Sequence, residues 1–227
     1  MDADTIVIVT AHEEADRLPE TLAALATAFP GARVIVADDG STDGTSQVAL
    51  ERGAELVRSE RVIGKGGAAT LAARRLLSRA LEPDPPVFVL VDGDLAESAA
   101  QLRALADAVR SGRCDLAVAV FASRVGGGFG LAVGFAHRAI RQLTGLDLKA
   151  PISGQRALSG AAFAVVVPFA PRFGMEIGMT VDAARAGFRI EEVELDLAHR
   201  ATGRTWRGFV HRGRQLVDFL AVYVSRR

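Results

Sequence analysis

The sequence predicts an α/β fold, with a mainly parallel sheet flanked by helices in a single domain. Two observations carry this. Short Val- and Ile-rich runs alternate with longer segments whose apolar residues recur at helical spacing. The runs are also apolar throughout rather than alternating, as strands covered on both faces are.

The first strand is Thr5–Thr10. Arg17–Phe29 follows as a helix, because Leu18, Leu22, Leu25 and Phe29 share one helical face; Pro19 is tolerated in a first turn. Val34–Ala37 is the second strand, and Ser41 or Thr42 is placed to cap a helix reaching about Glu51. Ala54–Val57 is a short third strand. Gly64-Lys65-Gly66-Gly67 opens a helix to about Leu81, and Pro83–Pro86 marks a loop. Val87–Val91 is the fourth strand, Ser98 caps a helix to about Val109, and Asp115–Phe121 is the fifth strand. This order implies right-handed crossovers. The second half is less regular. It has a glycine-rich loop at Gly126–Gly130, a helix over Leu131–Thr144, a break near Pro151, a helix over Glu176–Ala186 and a strand at Arg189–Leu195.

The chain has 227 residues and is 49% hydrophobic, enough for one sizeable core. Basic and acidic residues balance at 27 each, which gives no electrostatic case for nucleic-acid binding. Cys114 is the lone cysteine, so no internal disulfide can form, and its place at a strand start reads as an inert core thiol. The N-terminus has acidic residues where a signal peptide needs basic ones, and no apolar run reaches the ~20 residues of a membrane span. The expected compartment is the cytoplasm, with peripheral contact at the inner membrane face through 206–227 as the alternative to docking of that segment on the core. That segment mixes Trp206, Phe209, Leu216, Val217, Phe219, Leu220 and Tyr223 with arginines. Docking of its apolar face on the core, with the arginines solvated, is the favoured reading.

In an open parallel sheet, ligands bind beyond the carboxyl ends of the strands. The polar residues that follow the strands therefore share one rim: Thr10–Glu14, Asp38–Ser41, Asp92–Asp94 and Ser123-Arg124. Asp92-Gly93-Asp94 sets two carboxylates one small residue apart, which suits a hard divalent cation; a solvated turn is the plainer reading. Asp38, Asp39 and Asp43 exceed what one turn or cap needs, and a carboxylate there can accept from a nucleobase or ribose. Gly64–Gly67 joins flexible backbone to a helix start, both suited to anions. It is not a Walker A loop, since Gly66 follows the lysine. No G-x-G-x-x-G follows the first strand either.

Together VIVTAHEE, VADDGSTDGT, GKGGA, VDGDL, FASRVGGG, SGQRALS and FGMEIGMTVD…HRATGR resemble, in order, the motifs of family 2 glycosyltransferases. The branch acting on dolichyl or polyprenyl phosphate is the most similar, and the resemblance covers nearly the whole chain. FGMEIGMTVD…HR is also similar to the pattern of glucosyl-3-phosphoglycerate synthases.

The resemblance implies a Rossmann-like GT-A fold, with residues 1–122 as the nucleotide-sugar half and 123–227 as the acceptor half. It implies transfer from a UDP- or GDP-sugar to a polyprenyl phosphate, aided by Mg²⁺ or Mn²⁺. A small acceptor such as 3-phosphoglycerate and a non-catalytic sugar-nucleotide-binding module are the alternatives, and a homodimer is an expected assembly. Ala11, His12, Glu14, Asp38, Asp39, Lys65, Asp92 and Gly93 would hold the nucleotide sugar. Asp92, Asp94 and His199 would hold the metal. Asp94, Glu176, Arg124 and Arg200 would serve catalysis, the arginines by gripping phosphates; Glu176 reads equally as a helix-cap carboxylate. Departures from the family pattern are Thr10 for proline, His12 for tyrosine, Ala96 for glutamine, Ala150 for aspartate and Gln155 for phenylalanine.

Overall fold

The computed structural model describes residues 4–78, 86–122, 130–197 and 217–227. The strands are β1 (Thr5–Ala11), β2 (Arg33–Asp38), β3 (Glu55–Arg58), β4 (Val87–Asp92), β5 (Leu116–Phe121), β6 (Arg156–Leu158) and β7 (Ile190–Leu195). They form one sheet in the order β3-β2-β1-β4-β6-β5-β7, in which β6 alone runs antiparallel to its neighbours. The helices are α1 (Leu18–Ala28), α2 (Thr45–Glu51), α3 (Lys65–Leu77), α4 (Arg103–Arg110), α5 (Gly130–Thr144), α6 (Gly160–Val166) and α7 (Met175–Arg185). A last helix covers 217–225.

Alternation along the central strands divides the core between the two faces of the sheet. Val7, Val9, Val89 and Val91 pack with Leu22, Leu25 and Leu105 on one face. Ile6, Ile8, Phe88 and Leu90 pack with Ala69, Leu76, Phe163 and Met179 on the other. A third cluster joins Ala136, Ile140, Ile177 and Val181 to Phe219 and Val222 of the last helix. Cys114 is buried, and burial pushes its thiol up to about 11.

Several expected details differ. The α2 N-cap is Gly44 rather than Ser41 or Thr42, because both of those side chains bond elsewhere. Ser98 does not cap a long helix; its hydroxyl donates to the Leu95 carbonyl inside a 3-10 turn (Ala96–Leu102) that precedes α4. The third helix stops at Leu77 rather than Leu81. The expected loops at 83–86 and 126–130 lie almost wholly outside the described residues. β6 and α6 have no counterpart in the sequence reading. β6 spans three residues, too few for periodicity to register, and it begins with an arginine.

Candidate active site

The strand order reverses between β1 and β4, which places a ligand crevice beyond their paired carboxyl ends. A cavity of about 400 Å³ lies there. Its walls include Thr10 and Ala11 at the end of β1 with His12 and Glu14 beyond it, Asp39 after β2, Lys65 at the start of α3, and Asp92 at the end of β4 with Gly93 and Asp94 beyond it. Ile152, Gly154, Phe173, Glu176 and Phe219 close the other side. The chain thus brings Asp39, Asp92 and Asp94 to one pocket. The antiparallel sense of β6 explains how the second half joins them. Its entering segment, Ser153-Gly154-Gln155, meets the same rim at which the parallel neighbours end.

Lys65 is the electrostatic centre of this pocket. Its ammonium lies 2.6 Å from Asp92 Oδ1 and 2.8 Å from Glu176 Oε1. Burial pulls its pKa down, but the two carboxylates outweigh this and raise it above the ordinary lysine value. Thr10 also donates to Asp92 Oδ1 at 3.2 Å, and Gln155 Nε2 donates to Asp92 Oδ2 at 3.1 Å. Both Asp92 oxygens are therefore held by the protein itself. Glu176 stands in the first turn of α7, yet its carboxylate turns to Lys65 rather than capping the helix.

The loop after β2 is stitched to the loop after β1. Glu13 N–H donates to Ser41 Oγ, Glu14 N–H to Thr45 Oγ1 and Ala15 N–H to Asp43 Oδ2. Asp39 is buried and accepts from the N–H groups of Ile63 (2.7 Å) and Gly64 (2.8 Å), fixing the turn that presents Lys65. Gly64 has φ +86°, where a side chain would be strained and would strike Arg172. Asp38, expected beside the nucleotide, does not line the cavity. It is fully buried and accepts from the Ser41 N–H and from the hydroxyls of Ser41 and Ser46, so it is a structural anchor.

The Asp92–Asp94 turn is supported from α1. Buried Thr21 donates to the Gly93 carbonyl at 2.9 Å and accepts from the Ala96 N–H at 2.8 Å. Arg17 donates to the Asp94 carbonyl at 3.0 Å. Ala96 has φ +49°, an unfavourable angle for alanine that these bonds enforce.

Sequence reasoning missed Gln155 and Arg156 as site residues. Arg156 is wholly buried and donates to the carbonyls of Ser153 and Pro151 and to the Thr180 hydroxyl, clamping the 151–156 segment against α7. Burial pulls its guanidinium down to about 10, against the opposing pull of Glu176 and Glu192, so it stays charged at neutral pH. A buried arginine without a carboxylate at hydrogen-bonding distance leaves no trace in hydropathy. The resemblance of SGQR to a family segment was its signal. Arg124, His199 and Arg200 lie outside the described residues.

Gly154 offers a direct probe. A Cβ there would stand 2.2 Å from Lys65 Nζ and 2.6 Å from Asp92 Oδ2. Lys65 must then give up Asp92 while still able to reach Glu176, so Gly154→Ala should lower the melting temperature by about half of what full loss of the cation costs, roughly 3–6 °C. Its kcat/KM should also fall by about 100-fold, because the displaced ammonium no longer holds Asp92. Steady-state kinetics beside a thermal melt read both.

The profile of the family described as glycosyl transferase family 2 matches residues 6–152. An undecaprenyl-phosphate mannosyltransferase of Micrococcus luteus is 30% identical over 216 residues, covering 88% of this chain and 86% of that protein. An uncharacterised glycosyltransferase of Mycobacterium tuberculosis is 31% identical over 209 residues, covering 90% and 89%. Among solved structures, glucosyl-3-phosphoglycerate synthase of Mycobacterium tuberculosis in complex with Mn²⁺, UDP and glucosyl-3-phosphoglycerate superposes with a TM-score of 0.77. Its identity is 27%, covering 98% of this chain and 79% of the synthase. With the sheet order and the pocket in place, these likenesses make the chain a glycosyltransferase of GT-A architecture, belonging to glycosyl transferase family 2.

Proposed function

We propose that the enzyme transfers a sugar from a UDP- or GDP-sugar to a polyprenyl phosphate, with Mg²⁺ or Mn²⁺ as cofactor. The observation behind this is the charge of the cavity. Among the described residues it holds the carboxylates of Glu14, Asp39, Asp92, Asp94 and Glu176 against the single ammonium of Lys65. An anionic nucleoside diphosphate needs added positive charge to enter such a space. Hard carboxylate oxygens on one turn fit a divalent ion, so the residues present suit it. Asp92, oriented by Lys65, Thr10 and Gln155, and Asp94 are the carboxylate ligands in this reading. No group of three or more His, Cys, Asp or Glu able to hold a metal occurs among the described residues. The diphosphate and His199 are therefore proposed to complete the shell. When bound, the ion would neutralise charge on the diphosphate leaving group.

The chain's own residues then need only position the reactants. An acceptor phosphate oxygen is anionic at neutral pH and attacks the anomeric carbon directly. The bond from that carbon to the donor's diphosphate oxygen breaks, and the electron pair leaves with the diphosphate. No acceptor proton has to be removed, so Glu176 serves to hold Lys65 rather than as a base. Arg124 and Arg200 are assigned to grip phosphates, as an arginine fork does well.

The acceptor class is taken from the Micrococcus relative, which is matched over most of its length. A phosphoglycerate acceptor is the second reading, favoured by the likeness to a synthase crystallised with phosphoglyceric acid. A two-by-two assay decides between them: UDP-glucose or GDP-mannose as donor, a short-chain prenyl phosphate or 3-phosphoglycerate as acceptor, each with Mn²⁺. Sugar transfer to the prenyl phosphate is expected. Transfer to 3-phosphoglycerate alone would overturn the first reading.

A further inference from the structure

Asp92 is partly neutralised within the chain itself. A carboxylate offers about four lone-pair positions. Lys65 and Thr10 take two of them on Oδ1, and Gln155 takes one on Oδ2. Of these donors only Lys65 carries a charge. Asp92 thus keeps one position on Oδ2 for a cation, with Asp94 on the same turn lining the same cavity.

The surroundings fix the ammonium in that place. Gly64, whose N–H is held by Asp39, starts α3 so that Lys65 enters the cavity. Gly154 leaves room where a Cβ would stand 2.2 Å from Nζ. Glu176 approaches from α7 and accepts from the ammonium at 2.8 Å. Its side chain is 8% exposed and that of Lys65 21%, so solvent screens this contact less than it would on an open surface. The end of β4, the approach to β6 and the first turn of α7 therefore converge to set one positive charge on a carboxylate of the proposed metal turn.

A second cation on that carboxylate meets Lys65 as a like charge. At ~5 Å and with the weak screening of a cavity, the repulsion is worth about ten-fold or more in affinity. A diphosphate reverses the balance. Its oxygens can accept from the ammonium and ligate the ion together, so that both cations share one anion.

We infer that Lys65 makes metal binding conditional on the sugar nucleotide: by itself it opposes a divalent cation at Asp92, and with a diphosphate in the cavity it joins the cation in holding that diphosphate. The inference rests on the metal-dependent reading of the site and adds the order of loading to it. Ion and nucleotide bind as a pair, and the ion alone binds weakly. Linkage requires that UDP tighten Mn²⁺ by the same factor as Mn²⁺ tightens UDP.

Electron paramagnetic resonance of free Mn²⁺, titrated with the full chain with and without UDP, tests this. Wild type should bind Mn²⁺ alone weakly, and UDP should tighten that binding. Lys65→Met should bind Mn²⁺ alone about ten-fold more tightly than wild type, and the further gain from UDP should shrink by about the same factor. A site that the substitution had only loosened would change in the opposite sense, binding Mn²⁺ less well. If the methionine variant does not fold, Lys65→Gln, which keeps a donor without the charge, should shift Mn²⁺ affinity in the same direction. A folded variant that binds Mn²⁺ alone no more tightly than wild type overturns the inference, and leaves the metal reading standing if UDP still tightens Mn²⁺ on wild type. Wild type that binds no Mn²⁺ even with UDP sinks the metal reading, and this inference with it.

Discussion

Asp94→Ala is expected to abolish metal-dependent binding of the sugar nucleotide and to lower kcat by about 1000-fold, the scale of losing a main electrostatic contact to the leaving group. The physical reason is the place of Asp94 in the cavity, two residues from the charge cluster on Asp92. Asp92 spends both oxygens on Lys65, Thr10 and Gln155. Asp94 lines the same cavity two residues on. The turn itself is pinned by Thr21 and by Arg17 through backbone groups, so removing the Asp94 side chain should leave the scaffold in place. Calorimetric titration with UDP-glucose and GDP-mannose, with and without Mn²⁺, reads the effect. Unchanged Mn²⁺-dependent binding would remove Asp94 from the metal site.

Lys65→Met should be the most damaging single change to stability at the site. Methionine keeps much of the volume but leaves Asp92 and Glu176 facing each other without a cation. Losing one member of a largely buried ion cluster costs about 3 kcal/mol, or roughly 6–12 °C in melting temperature for a chain of this size. Adding Glu176→Gln should recover part of the loss, because one of the two like charges is then gone. Activity should not return with it, since Asp92 still lacks its cation. A melting temperature within a degree or two of wild type would show that the cluster contributes little to folding.

The sequence made the first half of the molecule legible because its signals are local. Unbroken apolar runs marked β1, β2, β4 and β5, and polar turns after them marked the rim. Asp39, Asp92 and Asp94 accordingly meet where the fold rule put them. Asp38 was misjudged because composition cannot distinguish a carboxylate that faces a ligand from one that anchors its own loop. The three bonds from the Ser41 N–H, Ser41 and Ser46 to Asp38 exist only once the loop is folded. Gln155 and Arg156 were hidden for a different reason. Their importance comes from β6 being inserted between β4 and β5, a pairing across more than sixty residues of sequence (Leu90 with Arg156) that no local pattern encodes.

That insertion also governs how the protein can be made. β4 pairs with β1 and β6, and β5 with β6 and β7, so β4 and β5 are never neighbours. A nascent chain that has emerged only through Phe121 thus carries a sheet whose β4 edge is bare and a fifth strand with nowhere to pair. An unpaired apolar edge invites association with other chains. The polypeptide must wait until Arg156–Leu158 leave the ribosome before the gap can be filled. Dividing the gene near residue 122 should accordingly yield a fragment that precipitates rather than a free-standing nucleotide-binding module.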